Sequence, residues 1–489
     1  MTSFRDIDIS TVKKKLYEAL CIILWGGVFF NLLRISSEIY DSPRQIHFNR
    51  AFLCFMAVLI VIRKVRLINF PIITTIITSL GVIITYLTRH NGDWGEIWRK
   101  ALIAKYLFFV LFAVIVIDMI RSQNYLRLKN YSISSLMCLL ITHFIIALVD
   151  FENILVLTAG CAVWYLTPIK SEEWKKQLKL LSIGGYFAFA YLFLRSNITN
   201  PESYSGLRFV GNFTYPVAAG MAATTGLVCA VYYLVAQILN KKNFKIIIPI
   251  SLAVILPICF QAMIMNRASI VGIILIIVLA FVFLGKQKKN TSLIKGLSTI
   301  VAFLLLTVLG LVAMKKISEL NIDTDQFSSS IGKILKLIVG KANYSFNFGD
   351  RYSMFEEGSY MNALDNFSSH RITLWIQGLK TAKLLPVEDF GVYYPGGEYM
   401  PHAHNQFICF IRKYGYLGGL PITVAHFYML VLSIKGVKKD KLRFLLTFMW
   451  MAYSIGLLMF EYKGWNMMPY GMMVILLHPL LQKQDEQLD

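Results

Sequence analysis

The strongest constraint on the fold of this chain is the recurrence of apolar blocks from one end to the other. Most run about 15–21 residues, and a hydrocarbon core about 30 Å thick takes about 20 apolar residues of helix to cross. Peptide groups inside lipid find no water to bond, so such blocks cross as helices that satisfy their own backbone. Charged residues make up only 16% of the 489 positions, against roughly 25% in a soluble domain. The mean hydropathy is +0.58. The chain therefore reads as an all-α polytopic integral membrane protein.

About fourteen blocks are long enough to be candidate spans: residues 17–35, 51–62, 70–87, 101–120, 133–149, 154–169, 180–194, 216–239, 246–265, 268–284, 297–314, 416–434, 444–460 and 467–481. The second is short for a full crossing. The first is too long for the apolar region of a cleaved signal and lacks a small-residue cleavage site, so it is expected to be a span.

The formal net charge is +21. In a soluble protein that balance would suggest nucleic acid. Here it follows from lysine- and arginine-rich connections on one side of a membrane, and no nucleic-acid partner is expected. With the N-terminus placed inside, alternate connections hold Lys13–Lys15, Arg63/Lys64/Arg66, Arg121/Arg127/Lys129, Lys170/Lys175/Lys176/Lys179, Lys241/Lys242/Lys245, Lys286/Lys288/Lys289 and Lys435/Lys438/Lys439/Lys441. Arg99 and Lys100 break the alternation. The pattern predicts an even number of spans and cytoplasmic termini. The seven cysteines lie mostly within apolar blocks and show no metal-binding spacing, so no metal and no cofactor are expected.

One connection stands apart. Residues 315–403 fall on the outer side and are too long for a structureless loop unless they fold or work. They are rich in aromatic and acidic residues, a mixture suited both to a small folded cap and to a surface that stacks on sugars. The expected organisation is a helix bundle over residues 1–314, a large outer loop over 315–403, and a histidine-bearing helix with the remaining spans over 404–489.

Costly polar groups mark the outer ends of the spans. Arg208 lies in SYSGLRFVGNFTYP, a Gly-, Ser- and Asn-rich loop entering the span at Pro216. Arg267, flanked by Asn266 and Ser269, sits where two apolar blocks meet with almost no loop. Guanidinium is permanently charged, and its planar fork fits phosphate oxygens. His404 and Asn405 open an apolar run, with His402 further out in the loop. On a helix His404, Phe407, Ile408 and Ile411 would share one stripe. A histidine at a wet interface suits general-base work near neutral pH, and Asn405 could orient an imidazole or a substrate hydroxyl. Gly415 and Gly418 would allow helices to approach closely, or would break the helix before the span from Tyr416. Two fixed cations and a base together suit the holding of a diphosphate leaving group and the deprotonation of an attacking hydroxyl.

The string H-N-x9-G-x-x-G, written here by His404, Asn405, Gly415 and Gly418, resembles the bacterial O-antigen ligase and O-antigen polymerase superfamily. GLRFVGNFTYP resembles that family's arginine-and-glycine loop before a span, and NRAS its Asn-Arg turn. RITLWIQGLKTAKLLPVEDFGV, with Arg371, Trp375, Pro386 and Gly391, resembles the stretch that precedes its histidine. The resemblance runs over residues 203–420; the earlier spans match only in hydropathy, and the total of about fourteen spans exceeds the roughly twelve usual for the ligases.

What the resemblance implies is a metal-independent, inverting glycosyltransferase of GT-C-like fold, with about 12–14 transmembrane helices and one large periplasmic loop. The donor would be an undecaprenyl-diphosphate-linked glycan presented at the periplasmic side of the bacterial inner membrane. The acceptor would be lipid A-core for a ligase, or another lipid-linked repeat unit for a polymerase. Arg208 and Arg267 would bind diphosphate and His404 would activate or orient the acceptor hydroxyl. Arg371 would be a loop contact to donor or acceptor. The motif fits the ligase pattern fully, so the ligase is the first expectation. Two readings from other classes stand beside it: a flippase or transporter of lipid-linked oligosaccharide, and a polysaccharide-length regulator. The first would place its polar groups at the bilayer midplane in broken helices. The second would have no need of the two arginines and the histidine.

Overall fold

The computed structural model describes residues 9–35, 43–64, 96–121, 160, 162–164, 167, 169–195, 204–205, 208–210, 213, 216–240, 244–264, 276, 354–356, 359–368, 370–387, 391–460, 472 and 475–476. The described elements are α1 (Ile9–Ile35), α2 (Pro43–Arg63), α3 (Glu96–Arg121), α4 (Ser171–Leu194), β1 (Tyr204–Ser205), β2 (Arg208–Phe209), α5 (Pro216–Leu239) and α6 (Phe244–Ile264). They continue with α7 (Tyr360–Phe367), α8 (Arg371–Lys380), β3 (Val392–Tyr393), β4 (Tyr399–Met400), α9 (Gln406–Lys439) and α10 (Lys441–Phe460). Among the described residues, five helical stretches are long and apolar enough to cross a membrane: Ser10–Arg34, Ser171–Leu194, Pro216–Leu239, Gln406–Lys439 and Lys441–Met459. Shorter apolar stretches lie at Leu107–Ile120 and Pro249–Gln261. The candidate spans at 70–87, 133–149 and 297–314 lie outside the described residues, as does all but Ile276 of 268–284.

The chain divides into two units, Met1–Gly310 with Leu432–Met451 and Asn466–Asp489, and Leu311–Val431 with Ala452–Trp465. In the first, α3 packs on α2, α2 on α1, α1 on α4, α4 on α5 and α5 on α6. Small residues set the close spacing. A Cβ added at Gly184 of α4 would lie 2.7 Å from the backbone nitrogen of Gly26 in α1, and one at Gly226 of α5 would run into the Phe189 ring.

Polar groups in these interfaces are paired, which is what an apolar surrounding demands. Trp25 donates its indole N–H to Gln177 Oε1 at 3.0 Å. The Gln177 amide donates to Glu173 at 2.7 Å, and Tyr17 donates to the same carboxylate oxygen at 2.7 Å. This network explains why α4 begins at Ser171 rather than at the apolar boundary near residue 180. Its polar first turns are held by α1, and Glu172 and Glu173 suit the positive end of the helix dipole. The same holds for α2, which starts well before residue 51. There His47 Nδ1 and Asn31 Oδ1 lie 3.0 Å apart, and Asn31 donates to the Gly27 carbonyl at 2.8 Å. Arg63 closes the far end of α2 with an ion pair to Asp118 of α3 at 2.6 Å.

Helix α6 carries two internal prolines, Pro249 and Pro257. Pro257 has no N–H, so the carbonyl four residues earlier, on Ala253, lacks its helical donor. The Tyr186 hydroxyl of α4 donates to that carbonyl at 2.8 Å.

The C-terminal segments of the first unit are tied by similar bonds. Trp164 donates to the Ile475 carbonyl, Thr447 to the Leu476 carbonyl, and Tyr232 to the Leu442 carbonyl.

The described part of the loop forms a small folded body in the second unit. Leu374, Val392, Ala403, Ile408 and Cys409 make its core, with Trp375, Tyr394 and Met400 packed against them. The pairs β1–β2 and β3–β4 are both short antiparallel hairpins.

Candidate functional site

The stretch around His404 folds from its sequence in a way that explains the spacing of its motif. Asn405 is an N-cap: its Oδ1 accepts from the backbone N–H of Phe407 at 3.0 Å and of Ile408 at 3.2 Å. Helix α9 therefore begins at Gln406, and His404 stands outside it with φ +47°. This corrects the expectation that His404 heads the helical stripe with Phe407, Ile408 and Ile411. The cap ends the helix first, and the left-handed backbone turns the histidine away from it. The oxygen of Asn405 is taken by two amides, so its placed role is capping. His402 and His404 stack edge to face, with ring centroids 4.4 Å apart and planes at 82°, both half-buried.

The helix runs for nine residues after Asn405 and then breaks. Gly415 has φ +69° and ψ 172°, a region open essentially to glycine alone. In an unbroken helix Phe407 and Phe427 would be about 30 Å apart. Their ring centroids are 5.3 Å apart. The two parts of α9, residues 406–414 and 416–439, thus form an antiparallel hairpin that turns at Gly415. The short arm is about 13 Å long, and the His402–Asn405 end lies level with His426 and Phe427 on the long arm. The x9 of the motif is the length of this short arm.

A strap from the loop fills the break. Tyr416 and Leu417 lose their helical acceptors at the turn, and their N–H groups donate instead to the carbonyls of Lys383 (3.0 Å) and Leu384 (3.2 Å). The Lys413 carbonyl, freed by the same break, accepts from Val387 at 3.2 Å. A Cβ at Gly415 would lie 2.3 Å from the Leu384 oxygen. Gly418 faces only the Tyr414 side chain, at 3.1 Å. The residue that lets the two arms touch is Gly419, where a Cβ would meet the Ile411 backbone at 2.4 Å.

Arg412, on the short arm and buried, locks the loop to the hairpin. Its guanidinium donates to the Gly378 carbonyl at 3.3 Å, to the Thr381 hydroxyl and to the Gly391 carbonyl. Gly378 and Thr381 lie at the C-terminal end of α8, where a cation also suits the helix dipole. Arg371 opens α8 and is half-buried. The first amides of that helix are already capped: Ser368 Oγ accepts from Arg371 N at 3.1 Å and Asp365 Oδ1 from Thr373 N at 2.8 Å. The fully buried Asp365 also accepts from the Thr373 hydroxyl at 2.7 Å, and His370 Nδ1 lies 3.3 Å from it. This acidic group belongs to the framework of the loop.

In the first unit, Arg208 lies on β2, where Ser205 pairs with Arg208 and Tyr204 with Phe209. The strand lies against α5 and α6. Phe213, a few residues after it, joins Phe193 and Phe260 in an aromatic cluster, with Phe193–Phe260 centroids 4.3 Å and Phe193–Phe213 centroids 5.7 Å apart. This brings the Arg208 backbone beside the helix that leads on to Asn266 and Arg267. Those two residues lie outside the described residues.

Sequence reasoning passed over four residues. Arg412 is visible in the sequence as a costly cation at the start of an apolar run, with no role assigned to it, and Gly419 only as a member of that run. His426 lies within a candidate span, and an ionisable group there is itself a signal. It is buried, donates through Nδ1 to the Ile422 carbonyl at 2.7 Å, and sits between Phe407 and Phe410 at 5.7 and 5.9 Å. Gln261 of α6 is 1% exposed, and neither end of its amide has a hydrogen-bond partner among the described residues. Among the described residues, no group of three or more His, Cys, Asp or Glu side chains could share a metal ion. Comparison with protein families, with curated proteins and with solved structures finds no match to this chain.

Proposed function

We propose that the chain is an inverting glycosyltransferase of GT-C-like fold, an O-antigen ligase of the bacterial inner membrane working at the periplasmic side. The donor is a glycan on undecaprenyl diphosphate and the acceptor a sugar hydroxyl of lipid A-core. The observation that supports this reading is the physical unit behind the motif. Asn405 caps a nine-residue arm, Gly415 turns it back, and the assembly holds two imidazoles in contact at a defined place. A site that must deprotonate one hydroxyl among many gains from such rigidity.

In the reaction the acceptor hydroxyl oxygen attacks the anomeric carbon from the face opposite the diphosphate. The carbon–oxygen bond to the diphosphate breaks, and its electron pair leaves with the phosphate oxygen. His404 receives the hydroxyl proton, with His402 fixing the plane of its ring. Arg208 and Arg267 stabilise the charge that develops on the diphosphate.

The same residues would serve a repeat-unit polymerase, in which only the acceptor differs. A third reading, a transporter of lipid-linked oligosaccharide, is favoured by the break in α9, because broken helices are a transporter device. One experiment separates the three. The purified chain is given lipid-linked glycan with lipid A-core, and separately with a second lipid-linked repeat unit. Glycan joined to core, with release of undecaprenyl diphosphate, is the result expected. Elongated lipid-linked glycan alone identifies a polymerase. Transbilayer movement of the donor with no new glycosidic bond overturns the transferase reading. In the same assay Arg267→Lys is expected to lose most transfer, since a point charge does not replace the planar fork.

A further inference from the structure

The long arm of α9 shows solvent a continuous apolar stripe. Leu417, Leu420, Val424, Phe427, Tyr428 and Val431 are all at least two-fifths exposed. From Leu417 to Val431 the stripe runs about 21 Å, most of the way through a hydrocarbon core of about 30 Å. It does not stop at the turn. Leu384 and Leu385 on the strap are 61% and 63% exposed, and their segment is bonded to the backbone of Tyr416 and Leu417. The Tyr416 hydroxyl adds a bond to the Leu379 carbonyl at 2.8 Å. Two neighbouring leucines on a non-helical strap thus extend the lipid-facing stripe past the point where the helix ends.

Among the described residues of α8 and the strap the charges have one sign, and the acidic pair Glu388 and Asp389 follows the strap in the sequence. Lys380 and Lys383 are exposed, Lys413 is half-buried, and residues 371–387 hold no acidic side chain. Lysine keeps its ammonium in water while laying its stem on apolar surface, and it is drawn to anionic headgroups. Irregular backbone is tolerated near lipid only where its polar groups are satisfied, and here the break in α9 satisfies the carbonyls of Lys383 and Leu384 and the N–H of Val387.

We propose that the strap 382–387 and the Gly415 turn form an interfacial lipid anchor. Leu384 and Leu385 enter the upper acyl region of the leaflet, and Lys380 and Lys383 hold the phosphates of anionic phospholipid. The anchor fixes the height of the turn, so the His402–Asn405 end of the short arm lies about 13 Å below that boundary, recessed into the leaflet. The inference rests on the membrane reading of α9 and not on any transfer reaction.

The test uses the full chain in nanodiscs of phosphatidylcholine with one-third phosphatidylglycerol. Leu385→Trp and, separately, Leu384→Trp are compared with the parent by difference fluorescence. Added tryptophan emission that is blue-shifted, and at least halved by bromine at acyl positions 6 and 7, is the expected result. Red-shifted emission quenched by acrylamide and untouched by brominated lipid would place the strap in water and overturn the anchor. For the headgroup, bromine is carried on the phosphatidylglycerol alone or on the phosphatidylcholine alone. Per mole of brominated lipid, quenching about twice as strong from phosphatidylglycerol is expected, falling to parity in Lys380→Gln/Lys383→Gln. Parity in the parent background would overturn the anionic preference.

Discussion

The carbonyl oxygen of Leu384 sits where a side chain on Gly415 would have to go, 2.3 Å from the position of its Cβ. The turn and the strap therefore specify each other. The glycine backbone opens the gap, and the strap satisfies the amides that the gap exposes.

Gly415→Ala is expected to cost roughly 3 kcal/mol or more, because the φ/ψ pair is closed to alanine and the strap must leave. Gly419→Ala meets the backbone of Ile411 and Phe410 and should be comparably damaging. Gly418→Ala meets only the Tyr414 Cβ, and the gain in helix propensity of about 1 kcal/mol offsets the crowding. Thermal unfolding of the three variants in detergent checks the order. A Gly418 variant as unstable as the Gly419 one would refute the hairpin packing.

Arg412 joins two carbonyls and a hydroxyl that lie on separate segments of the loop. Arg412→Ala removes the donor from carbonyls on the buried Gly378 and Gly391 and is expected to destabilise by roughly 3 kcal/mol. Arg412→Lys keeps the charge but cannot span from Gly378 to Gly391, and about 1–2 kcal/mol is expected. Limited proteolysis between residues 380 and 400 gives a local readout: cleavage should rise in both variants, and more in the alanine one. Parent-like protection in Arg412→Ala would show that the strap is held without the arginine.

Hydropathy located the apolar middle of α5 to the residue, 216–239, because that helix is apolar to both ends. It clipped α2 and α4, whose polar N-terminal parts are tied to α1 through His47–Asn31 and Glu173–Tyr17. The fork between close approach and a broken helix at Gly415 could be stated from the residue types. It could not be decided, because the strap that fills the break comes from a loop some thirty residues earlier in the chain. Asn405 beside His404 fits an N-cap pattern on residue type alone, and its oxygen serves as one. Arg208 was placed at a tight loop before a span, and the β1–β2 hairpin is such a loop.

Gln261 makes a contrasting case. Its amide is buried in α6 with no hydrogen-bond partner among the described residues. A polar group in that state costs about 1–3 kcal/mol, so Gln261→Leu is expected to raise stability by about 1–2 kcal/mol. The measurement is the shift in thermal midpoint. Should the leucine variant be less stable than the parent, the amide must be serving a structural partner such as a bound water. If stability rises while glycan transfer falls, the amide is retained for a ligand.

His404 allows the backbone and the imidazole to be tested apart. Its φ of +47° costs an L-residue about 1 kcal/mol, and glycine adopts it freely. His404→Gly should therefore fold at least as stably as the parent, whereas His404→Ala keeps the strain and loses the ring contact with His402. In a transfer assay both should fall by roughly 10²–10⁴-fold, the usual worth of a general base. His404→Asn, which tolerates the left-handed region, should fold like the parent and stay equally inactive, because its amide cannot accept a proton. The assignment requires activity to follow the imidazole and not the backbone. Transfer near the parent level in the glycine variant would remove His404 from the chemistry while leaving the hairpin intact.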